Sequence, residues 1–432
     1  MESRLIIVVG TTPDYVTKIQ EEEKIKPLLF LLDSRFKHSA ELAVTENSHL
    51  LFSDLENYNK TLEILDRYIS KLGMPICFAC FDCESLYMAS RLAEHFNCPF
   101  PSSDAVLKSR NKFLSSRLWM KNMVLTPECE LASNLSKSLE FFTMFNKNVV
   151  MKPLTGSGSE LVFHCTEEQE IIKAVEIIKT QLEKRRDNPL FSLIMDPLSG
   201  EMIDPCSLWL VEEYIDGPEY SCDFFMDKDN IHILRETGKI KDSDYPFGTI
   251  SGYIVPPDYP DSKTRKEIKS AMKNAASALG FTCGYFMADF IVCSNRINMI
   301  ELTPRPGGDS IPELIRESTG ADILKTYLDI VAGDTASLEN FPEPSGSFAS
   351  IHLFSDREGI IDDIDTSDIT SDPRTRCLLL KKNKGDSVSL PPDDYDNRLL
   401  GYCVMSRDMT DSSLKMCKDI QRKIKIKYSI PN

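Results

Sequence analysis

Residues 283–310 read CGYFMADFIVCSNRINMIELTPRPGGDS, in which two apolar runs flank a polar turn at 294–296. This pattern predicts a β-hairpin that turns at Asn295. In that register Asp289 and Glu301 lie opposite each other on one face, with Cβ atoms about 5 Å apart. Two carboxylates held this close need a cation between them, so the hairpin predicts a divalent metal site.

The segment after the hairpin adds a positive charge and flexible backbone. Arg305 presents a planar fork of donors to a carboxylate or phosphate, and Gly307 and Gly308 leave backbone that a ligand can approach closely. A surface salt bridge is the alternative for Arg305. Together with the hairpin, this segment predicts a platform for a metal ion and a phosphate group.

Length and composition favour a multidomain protein with a cleft. A chain of 432 residues exceeds the roughly 250 to 300 residues that one hydrophobic core supports, so we expect two or three domains. Hydrophobic residues make up 42% and charged residues 27%, and no segment approaches the roughly 20 apolar residues of a membrane span. A buried-strand pattern begins at Leu5 without the cleavage-site signature of a signal peptide, so we expect a cytoplasmic protein with no membrane partner.

The charge balance argues against a nucleic-acid partner. The formal net charge is −16, from 50 basic and 66 acidic residues, whereas nucleic-acid surfaces gain affinity by replacing phosphate counterions with Lys and Arg. Any phosphate site in this chain must therefore be a local positive pocket.

Cysteine usage predicts reduced thiols. The 13 Cys residues are scattered and do not resemble a disulfide framework. Cys77, Cys80 and Cys83, with Cys98 further on, have a spacing that a metal or iron–sulfur site can use. They lie on an apolar strand that runs into a helix, where free Cys behaves as a small core residue, and we favour that structural interpretation.

Residues 1–100 predict a parallel sheet. Short apolar runs alternate with helical patterns, which is the arrangement of βαβ units. Gly10 after the first strand and Asp33 at the end of the second are typical of a dinucleotide site, but the glycine-rich fingerprint is missing. We therefore expect a Rossmann-like domain that does not bind a nicotinamide cofactor.

Residues 101–335 predict a second, mixed α+β domain. We expect strands at 149–152 and 208–215, and helices at 167–184 and 262–280. The hairpin described above closes this domain.

Two breaks in the periodicity mark an insertion and a linker. Residues 185–207 contain three prolines and are expected to form an inserted loop. Pro342, Pro344 and Gly346 mark a linker, beyond which residues 345–432 are expected to form a small α+β domain. We expect strands at 347–354, 376–382 and 399–405 and a helix at 411–425.

A phosphate-binding loop is predicted after the strand at 149–152. No P-loop motif is present. Lys152 at the end of the strand can direct its ammonium group at phosphate oxygens, and the backbone N–H groups of the following Gly-Ser loop can close over a polyphosphate. An ordinary loop and a solvated lysine are the alternative. The loop residues concerned are Gly156, Ser157, Gly158 and Ser159.

A nucleotide-base site is predicted where the strand at 208–215 ends. An apolar strand that runs into an extended linker offers alternating backbone N–H and C=O groups to an adenine edge, and Glu219, beyond the turn at Gly217, can accept from ribose hydroxyls. A strand with a solvated acidic end is the alternative. The residues at the edge are Glu212, Glu213, Tyr214 and Ile215.

Taken together, these elements resemble the ATP-grasp superfamily over about residues 105–335. The resemblance implies a fold in which two α+β lobes clasp ATP, preceded here by the Rossmann-like domain. It implies that two lysines contact the α- and β-phosphates, that the Gly-Ser loop covers the triphosphate, that the strand between the lobes reads adenine, and that two carboxylates hold Mg²⁺. Carried over by motif, the residues are Lys112 and Lys152, Gly156 to Ser159, Glu212 and Ile215, Glu219 for the ribose, and Asp289 and Glu301.

Three features depart from the family pattern. Thr303 stands two residues after the second carboxylate, where Asn is frequent, and its hydroxyl can still reach a metal as a third ligand. Asp289 stands where Glu is frequent, and its reach is shorter. The segment 185–207 is longer than expected.

The C-terminal region is similar to that of L-amino-acid ligases within this superfamily. The similarity rests on residues 347–354, 384–388 and 400–404. It implies that Arg305 binds a carboxylate or acyl phosphate, and that the two glycines at 307 and 308 supply backbone N–H groups.

The resemblance implies an ATP-dependent carboxylate–amine ligase that forms an amide or peptide bond through an acyl phosphate and releases ADP and Pi. Lys152 and Arg305 are the implied catalytic residues. The cofactors are then ATP and Mg²⁺, with Mn²⁺ open as a substitute, and the partners are a small-molecule carboxylate and an amine, such as amino acids; a homodimer is left open. The alternatives are a bicarbonate-activating carboxylase, a kinase on the same fold and, least favoured, a non-catalytic ATP-binding protein.

Two histidines and one polar stretch are weaker candidates. His232 and His352 lie on apolar strands, where a lone His is usually a core or edge residue. Residues 235–253 are rich in polar groups and Gly, and they either line the acceptor pocket or form an ordinary excursion between strands.

Overall fold

The computed structural model describes residues 4–24, 26–38, 48–71, 75–228, 230–259 and 262–429. Over these ranges the strands form one eight-stranded sheet, two four-stranded sheets and two smaller ones. None of the helices within the same ranges is long and apolar enough to cross a membrane.

The N-terminal part forms the expected parallel sheet. Its elements are β1 (Leu5–Val9), α1 (Pro13–Glu22), β2 (Leu28–Asp33), β3 (Ser48–Ser53), α2 (Tyr58–Ile69), β4 (Ile76–Ala79) and α3 (Leu86–His95), with a 3₁₀ turn at Ser34–Phe36. The strand order is β3-β2-β1-β4, and every pairing is parallel. Every residue of β1 is buried, which explains its unbroken apolar sequence. The prediction of a Rossmann-like sheet is confirmed.

The next part is a small lobe built on an antiparallel sheet. Its elements are α4 (Ser103–Arg110), α5 (Lys112–Lys121), β5 (Cys129–Ala132), α6 (Leu135–Met144), β6 (Val149–Pro153), β7 (Phe163–Cys165), α7 (Glu168–Lys184), β8 (Ile194–Met195), β9 (Met202–Ile203) and β10 (Trp209–Glu213). The sheet has the order β5-β10-β6-β7. The buried Trp209 donates from its indole Nε1 to Ser138 Oγ over 3.0 Å, which ties β10 to α6.

Residues 185–207 differ from the predicted inserted loop. They contain a 3₁₀ turn at Pro189–Phe191 and the hairpin of β8 and β9. Leu190 and Phe191 are buried in the core of the small lobe. The prolines interrupt the periodicity as expected, but the apolar residues between them anchor the segment.

The central sheet carries the hairpin from which the metal site is predicted. Its elements are β11 (Glu219–Asp227), β12 (Asn230–Lys241), β13 (Ile250–Val255), α8 (Ser262–Ala278), β14 (Cys283–Cys293) and β15 (Arg296–Thr303), followed by α9 (Ile311–Thr319), α10 (Ile323–Val331) and a 3₁₀ turn at Ala336–Leu338. The turn residues Ser294 and Asn295 have φ values of 50° and 60°, as a two-residue hairpin turn requires. Asp289 pairs directly with Glu301, as predicted, although Arg296 belongs to β15 instead of the turn and a register shift between Asp289 and Phe290 restores the pair.

The C-terminal part extends the central sheet. Its elements are β16 (Phe348–Phe354), β17 (Gly359–Asp365), α11 (Ser367–Thr370), β18 (Thr375–Leu380), β19 (Ser387–Val388), β20 (Leu399–Ser406), α12 (Ser413–Gln421) and β21 (Lys425–Ser429). The eight strands follow the order β15-β14-β11-β12-β13-β16-β20-β18, so β13 and β16 join the two parts of the chain. The helix predicted at 411–425 ends earlier, at Gln421, and β21 follows it. The division at 345 stays a prediction, because the pairing of β13 with β16 runs across it.

The cysteine cluster serves the core. Cys77 and Cys80 are fully buried, and all the cysteines of the described ranges are free thiols. The described residues contain no group of three or more His, Cys, Asp or Glu that can hold a metal ion. The structural interpretation of Cys77, Cys80 and Cys83 therefore fits the fold.

The junction of β13 with β16 generates a prediction. A Cβ atom at Gly252 would lie 2.1 Å from the carbonyl oxygen of Ser350 on the neighbouring strand. We expect Gly252→Ala to lower the free energy of unfolding by about 1–3 kcal/mol, because the strands must separate to admit the methyl group. Urea unfolding measures this change.

The matched control is Gly346→Ala, since a Cβ atom there would make an ordinary contact at 3.5 Å with Phe348. This control should change the free energy of unfolding by less than about 0.5 kcal/mol. Equal stabilities of Gly252→Ala and the wild type would contradict the close packing at the junction.

Candidate active site

A cleft of about 750 Å³ lies between the small lobe and the central sheet. This volume is in the range of small-molecule sites. Tyr214, Ile215 and Thr303 are the predicted site residues that do not line it. The predicted residues that do line it are Lys112, Lys152, Gly156, Ser157, Gly158, Ser159, Glu212, Glu213, Glu219, Asp289, Glu301, Arg305, Gly307 and Gly308.

The paired carboxylates of the hairpin face this cleft, and lysines already approach them. Asp289 Oδ2 lies 2.7 Å from Lys239 Nζ, and Glu301 Oε1 lies 3.9 Å from Lys112 Nζ. The other oxygen of Asp289, Oδ1, is buried and has no hydrogen-bond partner. Burial raises the pKa of Asp289, and the nearby carboxylates of Glu219 and Glu301 raise it further, while Lys239 opposes the shift.

This arrangement fits a divalent cation. The unpartnered Asp289 Oδ1 is a hard oxygen ligand, and Glu301 supplies a second carboxylate beside it. Two carboxylates do not fill the coordination shell of Mg²⁺, so a cation held here would take its remaining ligands from water or from a bound substrate.

The structure does not bring Thr303 into this ligand set. Thr303 is buried and does not line the cleft, and its carbonyl oxygen accepts from Arg305 N over 2.9 Å. The prediction of Thr303 as a third metal ligand is therefore not supported by its position.

Lys152 is held by an acid on the neighbouring strand. Its Nζ lies 2.8 Å from Glu212 Oε2, and both side chains are buried. Burial lowers the pKa of Lys152, but the charge of Glu212 outweighs burial and the pKa is raised, so the ammonium form persists. Glu212, an acid of the predicted adenine edge, thus also holds Lys152, the predicted phosphate lysine.

Lys112 and two glycines shape the phosphate loop. Lys112 Nζ donates to Gly156 O over 2.8 Å. Gly156 and Gly158 have φ values of 111° and 67°, a conformation that favours glycine. A Cβ atom at Gly158 would lie 3.3 Å from Asp396 Oδ1, so the C-terminal part of the chain reaches this loop.

Tyr214 and Ile215, at the far end of the predicted adenine edge, do not line the cleft. β10 ends at Glu213, and Tyr214 then stacks on His164 with ring centroids 4.0 Å apart. Tyr214 N donates to Asn148 O, so its N–H group is occupied.

Glu219 sits between two lysines of β12. Its Oε1 lies 2.6 Å from Lys239 Nζ, and its other oxygen pairs with Lys241. Burial raises the pKa of Glu219, but the two lysines outweigh burial and lower it to about 2. Lys239 joins Glu219 to Asp289 and was not predicted as a site residue.

Arg305 connects the cleft to the N-terminal sheet domain. Its Nε donates to Cys83 Sγ over 3.1 Å, and its Nη1 donates to Pro306 O over 2.7 Å. Arg305 lines the cleft and is not engaged in a surface salt bridge with an acid of the described residues.

A buried ion pair positions the glycines after Arg305. Arg235 Nη2 donates to Asp223 Oδ1 over 2.9 Å, and Asp223 Oδ2 accepts from Tyr285 Oη and Gly307 N, each over 3.1 Å. The N–H group of Gly307 is thereby occupied, contrary to the prediction that it serves a ligand. Gly308 lies beside it in the cleft lining.

Sequence reasoning missed the inward face of β12. The residues at 235, 237, 239 and 241 alternate with Glu236, Gly238 and Ile240, and this spacing of two places them on one face of the strand. Applied to the polar stretch at 235–253, that signal identifies Arg235 and Lys239 as neighbours on the cleft side.

His352 also lines the cleft, rather than serving only as a core residue. Its Nδ1 donates to Ile250 O over 2.8 Å, which directs Nε2 towards Asp309 Oδ2 at 2.8 Å and Ser310 Oγ at 3.1 Å. Burial raises the pKa of Asp309, but His352 and Lys381 outweigh burial and hold it well below its usual range.

Comparison with known proteins identifies the fold. A family model described as an ATP-grasp domain matches residues 145–313, which run from β6 through the metal hairpin. The L-amino acid ligase of Bacillus licheniformis superposes with a TM-score of 0.78 at 16% identity, covering 100% of both chains. The chain therefore has the ATP-grasp fold. The parallel sheet precedes this fold in the sequence, and the C-terminal strands follow it.

Other proteins are also similar to this chain. The phosphoribosylglycinamide synthetase of Anaerococcus prevotii gives a TM-score of 0.67 at 17% identity over 99% of this chain and 100% of its own. The biotin carboxylase domain of Hydrogenobacter thermophilus 2-oxoglutarate carboxylase was solved with MgADP and bicarbonate. It superposes with a TM-score of 0.66 at 15% identity, over 99% of this chain and 91% of its own. The uncharacterized protein y4rH of Sinorhizobium fredii is 22% identical over 77% of this chain, and the match spans 65% of its length.

The ion pairs of Glu219 generate a pH prediction. Because its pKa in the folded state is about 2, below the ordinary value of 4.5, its stabilisation is complete above pH 4.5 and is lost as pH falls towards 2. Between pH 6 and pH 3 we expect the wild type to lose about 2 kcal/mol more unfolding free energy than Glu219→Gln. Urea unfolding at the two pH values measures the difference.

The control substitution is Glu176→Gln, at an exposed position on α7. It should keep the pH dependence of the wild type. If Glu219→Gln loses as much stability as the wild type on acidification, the buried lysine cluster is not holding an ionised Glu219.

Proposed function

We propose that this protein is an ATP-dependent carboxylate–amine ligase. The observation that carries the proposal is the pair Asp289 and Glu301, placed side by side on one wall of a cleft whose other walls carry Lys112, Lys152 and Arg305. Such a site suits a reaction whose main demand is neutralising and aligning a transferring phosphoryl group.

The nucleotide phosphates would lie between the small lobe and the hairpin. Lys112 and Lys152 are the cations available to them, and the backbone of Gly156 to Ser159 can close over them. Asp289 and Glu301 would hold Mg²⁺, which when bound neutralises phosphate charge. Mn²⁺ has the same preference for oxygen ligands.

The proposed reaction has two steps. An oxygen of the carboxylate substrate attacks the γ-phosphorus of ATP, the bond from that phosphorus to ADP breaks, and an acyl phosphate forms. The amine nitrogen then attacks the acyl carbon, the bond from carbon to the phosphate oxygen breaks, and the nitrogen loses a proton to give an amide and Pi. Arg305 would neutralise the carboxylate and then the acyl phosphate, and Gly308 would bring backbone close to them.

Likeness to the L-amino acid ligase over 100% of both chains favours amino acids as the substrates. A bicarbonate-activating carboxylase is the second candidate, because the biotin carboxylase domain solved with MgADP and bicarbonate shares the fold. A kinase would leave the phosphate on its product. A non-catalytic ATP-binding protein would release no Pi.

A Pi-release screen over pairs of amino acids and related acids and amines tests the proposal, with mass spectrometry of the products. We expect at least one pair to give ADP, Pi and an amide. Glu301→Gln should lower this Mg²⁺-dependent rate by about 100-fold or more, because one of two metal-facing carboxylates loses its charge. Glu176→Gln serves as the control and should keep the wild-type rate.

Turnover with no pair contradicts the proposal, and each of three further outcomes contradicts all or part of it. Bicarbonate-dependent ADP release without an amine favours the carboxylase. A phosphorylated product without Pi favours the kinase. Full activity of Glu301→Gln, with the fold verified by circular dichroism, removes the metal assignment.

A further inference from the structure

Arg398 is a buried cation in the cleft wall without an acidic partner. It immediately precedes β20, is 5% exposed and lines the cleft. The other two arginines classed as buried among the described residues are both paired. Arg235 contacts Asp223, and Arg407 contacts Asp258 through two nitrogens at 3.1 and 3.2 Å.

The surroundings of Arg398 leave part of its guanidinium group unused. Nη2 donates to Thr249 Oγ1 over 2.7 Å, whereas Nε is buried and has no hydrogen-bond partner. The guanidinium carbon lies 4.8 Å from the ring centroid of Phe354 and 5.4 Å from that of Tyr245. A desolvated arginine held between aromatic rings with an unused N–H group is costly unless an anion binds it.

The neighbouring charges are of both signs. Lys381, Asp309 and Asp396 line the same cleft, and Lys381 Nζ lies 3.7 Å from Asp309 Oδ1. Burial, followed by the charges of Glu160, Asp394 and Asp309, raises the pKa of Asp396 to about 6. The wall therefore offers carboxylates to an ammonium group and a guanidinium group to a carboxylate.

The segment at 389–398 is anchored at its far side to the small lobe. Asp393 Oδ1 accepts from Gln181 at 2.9 Å and from Lys184 at 2.7 Å, and Arg185 donates to the carbonyl oxygen of Asp393. Tyr395 is part of the core of the small lobe. Arg398 is thus held in place from both sides of the cleft.

We propose that Arg398 binds the free carboxylate of the amine substrate, so that the enzyme selects a zwitterionic amino acid over a simple amine. This inference rests on the proposed ligase function and adds the group that recognises the second substrate. A planar guanidinium matches a carboxylate through paired hydrogen bonds.

A phosphate of the nucleotide is the competing occupant. Lys112, Lys152 and Arg305 already serve the triphosphate and acyl-phosphate positions, whereas the acids beside Arg398, Asp394 and Asp396, would repel a polyanion. A zwitterion satisfies both kinds of charge, and for this reason we favour an amino acid.

The test uses the acceptor amino acid found in the Pi-release screen and its carboxamide, which keeps the amine and lacks the carboxylate. The wild type should prefer the free acid by about 10- to 100-fold in kcat/KM. Arg398→Gln should raise the KM of the free acid by the same factor and leave the KM values of the carboxamide and ATP within about twofold. Arg398→Lys should recover part of the preference.

The control is Arg357→Gln. Arg357 is exposed, lies over the Tyr428 ring and does not line the cleft. The Arg357→Gln variant should therefore have the KM values of the wild type.

A rise in the KM of ATP with an unchanged KM of the amino acid in Arg398→Gln would assign Arg398 to the nucleotide and overturn the inference. Equal use of acid and carboxamide by the wild type would overturn it without any variant, even if Arg398→Gln does not fold.

Calorimetry separates failure of this inference from failure of the ligase function. The common L-amino acids are titrated into the wild type and Arg398→Gln in the presence of ADP and Mg²⁺. If no pair supports turnover, the ligase proposal fails, but an amino acid that binds the wild type and not Arg398→Gln still supports the carboxylate site. If none of them binds the wild type, the inference is overturned.

Discussion

The architecture of the site depends on the electrostatic repulsion between Asp289 and Glu301. Antiparallel pairing places their side chains on the same face, and burial makes the charge of Asp289 harder to solvate. Lys239 and Lys112 offset part of this charge. Asp289 Oδ1 has no hydrogen-bond partner, so the neighbouring side chains do not fully compensate the charge of the two carboxylates. A divalent ion and the phosphates that accompany it would complete the balance.

The other cations that line the cleft come from three parts of the chain. Lys152 is fixed by Glu212 in the small lobe, Arg305 is fixed by Cys83 of the N-terminal sheet, and Arg398 is contributed by the C-terminal strands. Because these three cations come from different parts of the chain, the cleft is complete only when all parts are folded together. The continuous central sheet, in which β13 pairs with β16, provides that connection.

Local patterns in the sequence were sufficient for the hairpin, the strand that carries Lys152 and the parallel sheet. Asp289 and Glu301 are brought opposite each other by a two-residue turn together with a register shift between Asp289 and Phe290, and the local pattern did not predict this shift. The contact of Arg305 with Cys83 spans 222 residues, which no local pattern encodes. Nor does local sequence show that Thr303 is covered or that the N–H group of Gly307 is taken by Asp223.

The account's central claim is that Asp289 and Glu301 act together as a divalent-ion site, and Mn²⁺ binding measured by electron paramagnetic resonance in the presence of ADP tests it most directly. The account predicts that the wild type binds Mn²⁺ and that Asp289→Asn and Glu301→Gln each weaken the binding by about 10-fold or more, since each removes a charged ligand. Binding of Mn²⁺ by both variants with the affinity of the wild type would contradict it.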